Sequence, residues 1–334
     1  MAEKNNVIPG LVSVIICAYE NWPDMEMTIE SALHQSYEPL EVIVVDNSST
    51  DATPCEVPRR FGNRLRYIRQ PNRGDAGAYN AGFDLARGEF IQFVDGDDVL
   101  APNKIEKQLE VFRANAELDI VYGDVRMFQT RAGVANWTDH AMQPEDDMLK
   151  SLTAPPGILL NTLGVLFHRR ALEKVGPWDE SLYISDMDYW LRAAWAGCRF
   201  GHCLGGPMGF GRLRPGQMSK DLSAMARGIE AVWAKALGYV MREPYRSLLL
   251  ASIAHWRFYQ AISSDKMSKR EALAMLALAR STRPETISAL DYAVGCLRVI
   301  LPAGFVHSSW TRVVRRSFIR LFDRNLGYFR RARS

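Results

Sequence analysis

Asp95, Gly96, Asp97 and Asp98 are the residues whose type and spacing point most directly to chemistry in this chain of 334 residues. They end an apolar, strand-like run at residues 90–94. Alternate side chains of an extended backbone point the same way, so Asp95 and Asp97 can meet one ion in a D-x-D pattern. Gly96 between them lets the backbone turn or lets a ligand approach closely. Carboxylate oxygens suit Mg2+ or Mn2+. Such a cation, held by one or two carboxylates, completes its shell with phosphate oxygens and water. This reading makes the stretch a metal–diphosphate site at the C-terminal end of a buried strand. A second reading stands beside it: an acidic turn capping the helix that Pro102 opens, where Ile105, Leu109 and Phe112 share one face.

The elements around this stretch alternate. Residues 11–19 are a β-branched apolar run of the kind that is buried on both faces. A helix is expected from Asp24 to about His34. Residues 42–45 form a second strand ending at Asp46, and residues 65–69 a weaker third. The glycine-rich segment 72–82 passes into a helix, the Asp95 strand is fourth, and residues 120–122 are a fifth. Strands alternating with helices imply an α/β fold with a mainly parallel sheet flanked by helices. In such sheets ligands bind beyond the carboxyl ends of the strands. Three of those ends carry polar groups here: Tyr19 and Glu20, Asp46 and Asn47, and Asp95 to Asp98.

Other readings are excluded or limited by pattern. No G-x-G-x-x-G follows the first strand and no G-x-x-x-x-G-K-[ST] occurs, so neither glycine cradle for phosphates is present. Lys and Arg number 41 against 38 Asp and Glu, a net charge of +3, which argues against nucleic acid as a partner. Five cysteines without a C-x-x-C pair argue against a disulfide framework or a structural zinc site. Reduced thiols in a cytoplasmic setting are expected. There is no apolar signal core at the N-terminus and no uninterrupted apolar run of spanning length.

Further along, residues 125–129 suit a strand, and residues 137–150 are acidic without a clean period. The segment 123–157 as a whole reads as a variable loop over the site that grips a second substrate, or as a solvated surface loop. Residues 158–168 suit a strand and 170–175 a short helix. From Asp186 the pattern is helical, with Met187, Trp190, Leu191 and Ala194 on one face. Asp186 thus sits at a helix start, favoured by the dipole there or acting as an N-cap. Arg212, Arg214 or Lys220 can pair with phosphate oxygens or form a basic surface loop. His168 and His202, beside apolar strands, read as structural. From about Leu222 the texture becomes helical, giving two expected domains, 1–221 and 222–334. In the last helix Trp310, Val314, Phe318, Leu321 and Phe322 make an apolar stripe beside Arg312, Arg315, Arg316, Arg320 and Arg324. Such a helix suits an anionic membrane surface, or packing on its neighbours with a basic edge.

Taken together and in order, segments 12–19, 41–51, 72–82, 95–98, 176–180 and 186–192 resemble the family 2 inverting glycosyltransferases of GT-A fold. The resemblance covers about residues 10–220. It implies that Ala18, Tyr19 and Glu20 line the pocket of a nucleotide base and that Asp46 hydrogen-bonds the base. Asp75 would lie along the nucleoside and sugar, and Asp95 with Gly96 would face the ribose or sugar. Asp97, with Asp95, would hold Mn2+ or Mg2+. Asp186 would be the general base; the family Glu before it is replaced by Ser185. The implied reaction moves a sugar from a nucleoside-diphosphate sugar, UDP-linked by preference, to an acceptor hydroxyl with inversion. Polysaccharide or glycan biosynthesis is the implied setting, in the cytoplasm or peripherally at the inner face of the membrane. Three alternatives remain at this stage. A non-catalytic sugar-nucleotide-binding relative would accommodate Ser185. A two-carboxylate hydrolase would leave the nucleotide-type loops unexplained. A nucleotidyltransferase would need a basic phosphate-gripping loop near the first strand.

Overall fold

A computed structural model describes residues 6–128, 138–140, 147–153, 160–214, 217–218 and 221–263, with isolated positions beyond. The apolar runs become the strands at its centre. These are β1 (Ile8–Ala18), β2 (Leu40–Asp46), β3 (Arg66–Arg69) and β4 (Gly88–Asp95). The intervening helices are α1 (Asp24–Leu33), α2 (Thr53–Phe61) and α3 (Gly74–Leu85). After β4 come β5 (Val99–Leu100), α4 (Lys104–Ala114), β6 (Ile120–Gly123), β7 (Val125–Phe128) and β8 (Thr138–His140). Then follow α5 (Met148–Thr153), β9 (Val165–His168), α6 (Arg169–Val175), α7 (Ser185–Trp195), β10 (Phe200–Cys203) and β11 (Gly209–Arg212). Two longer helices, α8 (Leu222–Tyr239) and α9 (Tyr245–Ser263), complete the described chain.

Seven strands form one sheet in the order β10-β6-β9-β4-β1-β2-β3. The pairs β1/β2, β1/β4, β2/β3 and β6/β10 are parallel; β9 alone runs against both its neighbours. A mainly parallel sheet is what the expected α/β fold requires. The expected strand at 158–168 is shorter, because a 3-10 turn at Thr162–Gly164 precedes β9. In a second sheet, β5-β11-β7-β8, β7 is the strand expected at 125–129, while β5, β8 and β11 were not legible in the sequence.

Val12, Val14, Ile15, Ile16, Val44, Val45, Ile91 and Phe93 are buried to within 1% of completely, which is why β1, β2 and β4 read as unbroken apolar runs. Helix α3 lies close on β1 at Gly82, where an added Cβ would come 2.2 Å from Ile15 Cγ2. Gly82→Ala is therefore expected to destabilise the protein by about 1–3 kcal/mol through overpacking. A fall in the urea unfolding midpoint would show it; an unchanged midpoint would mean that α3 can shift outward freely.

The chain divides into two units, Met1–Asp146 with Leu160–Met225, and Asp147–Leu159 with Ala226–Ser334. In the second, Ser252 Oγ donates to Thr153 O at 2.8 Å and Tyr245 OH to Asp147 Oδ2 at 2.9 Å. Helix α5 buries Met148, Leu149 and Leu152. That corrects the loop reading for residues 148–150. The rest of the expected substrate loop at 129–137, 141–146 and 154–157 lies outside the described residues, as does the basic helix containing Trp310 and Arg316.

Candidate active site

Strand register brings the polar ends together. Ala18 is paired with Asp46, Cys17 with Asp95, and Asp46 with Arg69, so the ends of β4, β1, β2 and β3 lie abreast along one edge of the sheet. Two non-glycine residues there adopt left-handed backbone, Glu20 at φ 53° and Ser48 at φ 62°. Strained backbone of this kind collects at ligand sites.

The β1–β2 side is a web of side-chain bonds. Glu20 Oε1 accepts from Thr50 N at 2.7 Å and from Thr50 Oγ1 at 2.9 Å. Ser49 Oγ accepts from Glu20 N at 3.1 Å. Tyr19 is 48% exposed, so its ring is available to a planar ligand. Three of the residues expected at a ligand are enclosed by the chain here. Ala18 is fully buried. Asp46 is fully buried as well; Oδ1 accepts from Ser49 N at 2.8 Å and Oδ2 from Tyr67 OH. Its oxygens thus organise the loop instead of standing open to a base. The space around Gly96 is filled by this chain's own atoms. An added Cβ would meet Asn21 Oδ1 at 2.5 Å and Cys17 O at 2.7 Å, so the glycine admits Asn21. Asn21 in turn accepts from Tyr19 N at 2.7 Å.

At the end of β4 the bend Asp95–Asp98 is closed by an Asp98 N–H to Asp95 O bond of 3.0 Å. It does not cap α4, whose N-cap position is Asn103 without a side-chain bond. The capping reading is thereby removed. Asp95 Oδ1 accepts from Tyr79 OH, whose ring packs against Phe93 and Trp178. Asp98 is buried and accepts from Arg212 N at 2.9 Å. Arg214 Nε lies 2.7 Å from Asp97 Oδ2. Asp75 stands in the first turn of α3 and accepts from Cys17 Sγ at 3.5 Å.

Asp186 lies in the first turn of α7 and accepts from Met187 N at 2.7 Å. It is not the N-cap, which is Ile184. The buried face of α7 is broader than expected: Tyr189 and Ala193 join Trp190 and Leu191, while Met187 and Ala194 are only half-buried. Tyr189 turns inward because its ring stacks on Trp178 at 4.1 Å. Trp178 is clamped from α3, donating its N–H to Asn80 Oδ1 at 2.8 Å and accepting from Asn80 Nδ2 at 3.0 Å. Arg73 Nε donates to Glu180 Oε2 at 2.8 Å. The segment that leads into Asp186 is thus tied to the helix that carries Asp75 and Tyr79.

These carboxylates sense one another. Burial pushes Asp95 up to about 7, aided by the negative charges of Asp75, Asp97 and Asp186 and opposed by the Tyr79 bond. Burial likewise raises Asp186 to about 6, against the Met187 N–H bond and with help from Asp75. Asp97 is also raised by burial, with Arg214 and Arg212 opposing. Asp75, Asp95, Asp97 and Asp186 therefore form one electrostatic cluster around Asp95, drawn from three separate places in the chain. Among the described residues no group of three or more His, Cys, Asp or Glu side chains is arranged to hold a metal ion. Asp95 and Asp97 still suit a hard divalent cation whose remaining ligands are phosphate and water. They are oxygen donors held in a shared bend, and a cation would relieve their mutual repulsion. Tyr79, Asn80 and Tyr67 were missed by sequence reasoning, since their partners are 16 to 98 residues away; Asp98 was named, but its partner 114 residues away was not.

A mainly parallel seven-stranded sheet flanked by helices, with its polar strand ends abreast, is the architecture of the GT-A type of glycosyltransferase fold. Solved structures show the same fold. Staphylococcus aureus TarS 1-349, in complex with UDP-GlcNAc, superposes with a TM-score of 0.62 at 16% identity, covering 92% of this chain and 91% of that one. The mannosyltransferase PcManGT from Pyrobaculum calidifontis, in complex with GDP-Man and Mn2+, gives 0.58 at 21% identity, covering 94% and 86%. Residues 13–176 match Glycosyl transferase family 2. The succinoglycan biosynthesis protein ExoO of Rhizobium meliloti (strain 1021) is 34% identical over 236 residues, covering 63% of each chain. Glycosyltransferase RP339 of Rickettsia prowazekii (strain Madrid E) is 30% identical over 196 residues, 57% of this chain and 60% of that one. The match thus spans less than two thirds of these relatives.

Proposed function

We propose that this chain transfers a sugar from a nucleoside-diphosphate sugar to an acceptor hydroxyl, with a divalent cation and with inversion at the anomeric carbon. The observation that carries the reading is the electrostatic cluster joining the Asp95–Asp97 bend to Asp186. Tyr19, Glu20 and the loop held by Asp46 form the base side of the site, and Asp75 and Asp95 the sugar side. Asp97 and Asp95 are the groups that would hold Mn2+ or Mg2+. When bound, the cation neutralises the diphosphate and makes it a better leaving group. Asp186 takes the acceptor proton as the hydroxyl attacks. A single displacement assisted by one base inverts the anomeric centre.

UDP-sugars are the favoured donors, supported by the TarS complex with UDP-GlcNAc. The name of ExoO supports a role in polysaccharide biosynthesis. Among the described residues no helix is long and apolar enough to cross a membrane. Ser185, where family resemblance implies Glu, favours the non-catalytic alternative. A thermal-shift panel of UDP-, GDP- and dTDP-sugars, with and without Mn2+, tests donor binding, since a ligand that binds the folded state raises its stability by mass action. A metal-dependent rise with one nucleotide is expected. No rise with any of them would remove the proposal.

The Asn80 clamp gives a further expectation. Asn80→Ala frees the segment before Asp186, and kcat is expected to fall about tenfold or more. KM for the donor changes little, because Asn80 itself bonds Trp178 and Glu180. Steady-state kinetics separate the two; a rise in KM alone would mean that the clamp serves donor binding instead.

A further inference from the structure

The two arginines beside the acidic bend are held very differently. Arg212 is built in: its side chain is 4% exposed, and Nε donates to Asp97 O at 3.0 Å. It also lies 3.4 Å from Asp24 Oδ1 and sits over the Phe128 ring at 4.7 Å. Arg214 is two residues beyond the end of β11, with a third of its side chain exposed. Its backbone N–H reaches Gln217 Oε1 only at 3.4 Å. Yet it is Arg214 that pairs with the Asp97 side chain. Asp97 is buried, and a buried carboxylate is costly to keep charged without a companion.

We infer that Arg214 is a displaceable internal counter-ion, which neutralises Asp97 in the ligand-free protein and passes to the diphosphate when a divalent cation takes Asp97. The inference rests on the metal–diphosphate reading above. Guanidinium geometry suits carboxylate and phosphate equally, so the exchange needs only a change of partner. Asp97 trades one cation for another, and Arg214 trades one anion for another. Either ligand alone leaves this exchange incomplete. A cation by itself displaces Arg214 from Asp97 and repels its guanidinium, and a diphosphate by itself competes with Asp97 for that guanidinium. The two ligands therefore bind with positive coupling, and Arg214 carries part of it.

The test is Mn2+ binding to the full chain, read from the free-ion EPR signal, with and without UDP and corrected for Mn2+ held by UDP alone. In Arg214→Gln, Mn2+ alone is expected to bind about tenfold more tightly than in the wild type, because its competitor is gone. The gain in Mn2+ affinity that UDP produces is expected to shrink about tenfold. Arg214→Lys keeps a cation and should retain the weak Mn2+ binding of the wild type. Equal Mn2+ affinity in wild type and Arg214→Gln, with the UDP effect intact, overturns the inference and leaves the functional proposal standing. Absence of Mn2+ binding in every variant, with UDP present, overturns the metal reading and the inference together.

Discussion

Asp186→Asn is expected to lower kcat by about 10²–10⁴-fold while nucleotide-sugar affinity is retained. That range is what a positioned general base contributes. Asparagine keeps the size of the side chain and its bond to Met187 N, but it cannot accept the acceptor's proton. The pH profile supplies a second signature. Asp186 acts as a base only when ionised, and burial places its pKa at about 6. The rate should therefore be full well above pH 6 and should fall as pH drops through about 6, approaching tenfold per unit. That limb should vanish from the residual activity of the variant. Equal loss of binding and turnover in Asp186→Asn would instead make the residue a part of the donor pocket.

The second large effect is expected at Asp97. Asp97→Asn removes the negative charge that would face the cation and leaves Arg214 without its carboxylate partner. A nucleotide and Mn2+ at a hundred times their dissociation constant should stabilise the wild type by about 2.7 kcal/mol. The variant should lose most of that rise. Turnover should fall by about 10²-fold or more, since leaving-group neutralisation is worth several kcal/mol. The fold itself should persist, because the bend is also held by Asp98, Arg212 and the Tyr79–Asp95 bond. A variant that keeps the Mn2+-dependent thermal rise would place the cation elsewhere.

The parts of the molecule that were legible in the sequence are those where burial leaves a periodic trace. β1, β2 and β4 are covered on both faces, so their apolar runs stop where the strands stop, at Ala18, Asp46 and Asp95. In the second sheet only β7 left such a trace, as the strand expected at 125–129. The strands of that sheet are two to four residues long and pair β11 with β5 and β7 across more than 80 residues. Arg212 reads in sequence as a phosphate partner or a surface loop residue, but it is 3% exposed because its partners come from Asp24, Asp97 and Phe128. Gly96 illustrates a related limit. The need for a small residue is visible in sequence, but what fills the space is not; Asn21 does. For Asp46 the residue type suggested a ligand contact, whereas its burial shows a carboxylate spent on Ser49 and Tyr67.

The electrostatic cluster explains why four aspartates converge where apolar packing alone would exclude them. Asp95 stands at its centre: burial raises it, and the charges of Asp75, Asp97 and Asp186 raise it further, while Asp75 also raises Asp186. Such an arrangement persists where charged ligands offset the repulsion, and perturbed carboxylates of this kind mark functional sites. The Asn80 clamp and the Arg73–Glu180 pair then fix the approach to Asp186 from the same helix that positions Asp75.

The most direct measurement is an anomalous difference map from a crystal of the full chain soaked with Mn2+ and UDP. A manganese peak bonded to the Asp97 carboxylate and to diphosphate oxygens is the expected result. A nucleotide bound without manganese at that bend, with Asp97 still paired to Arg214, would contradict it.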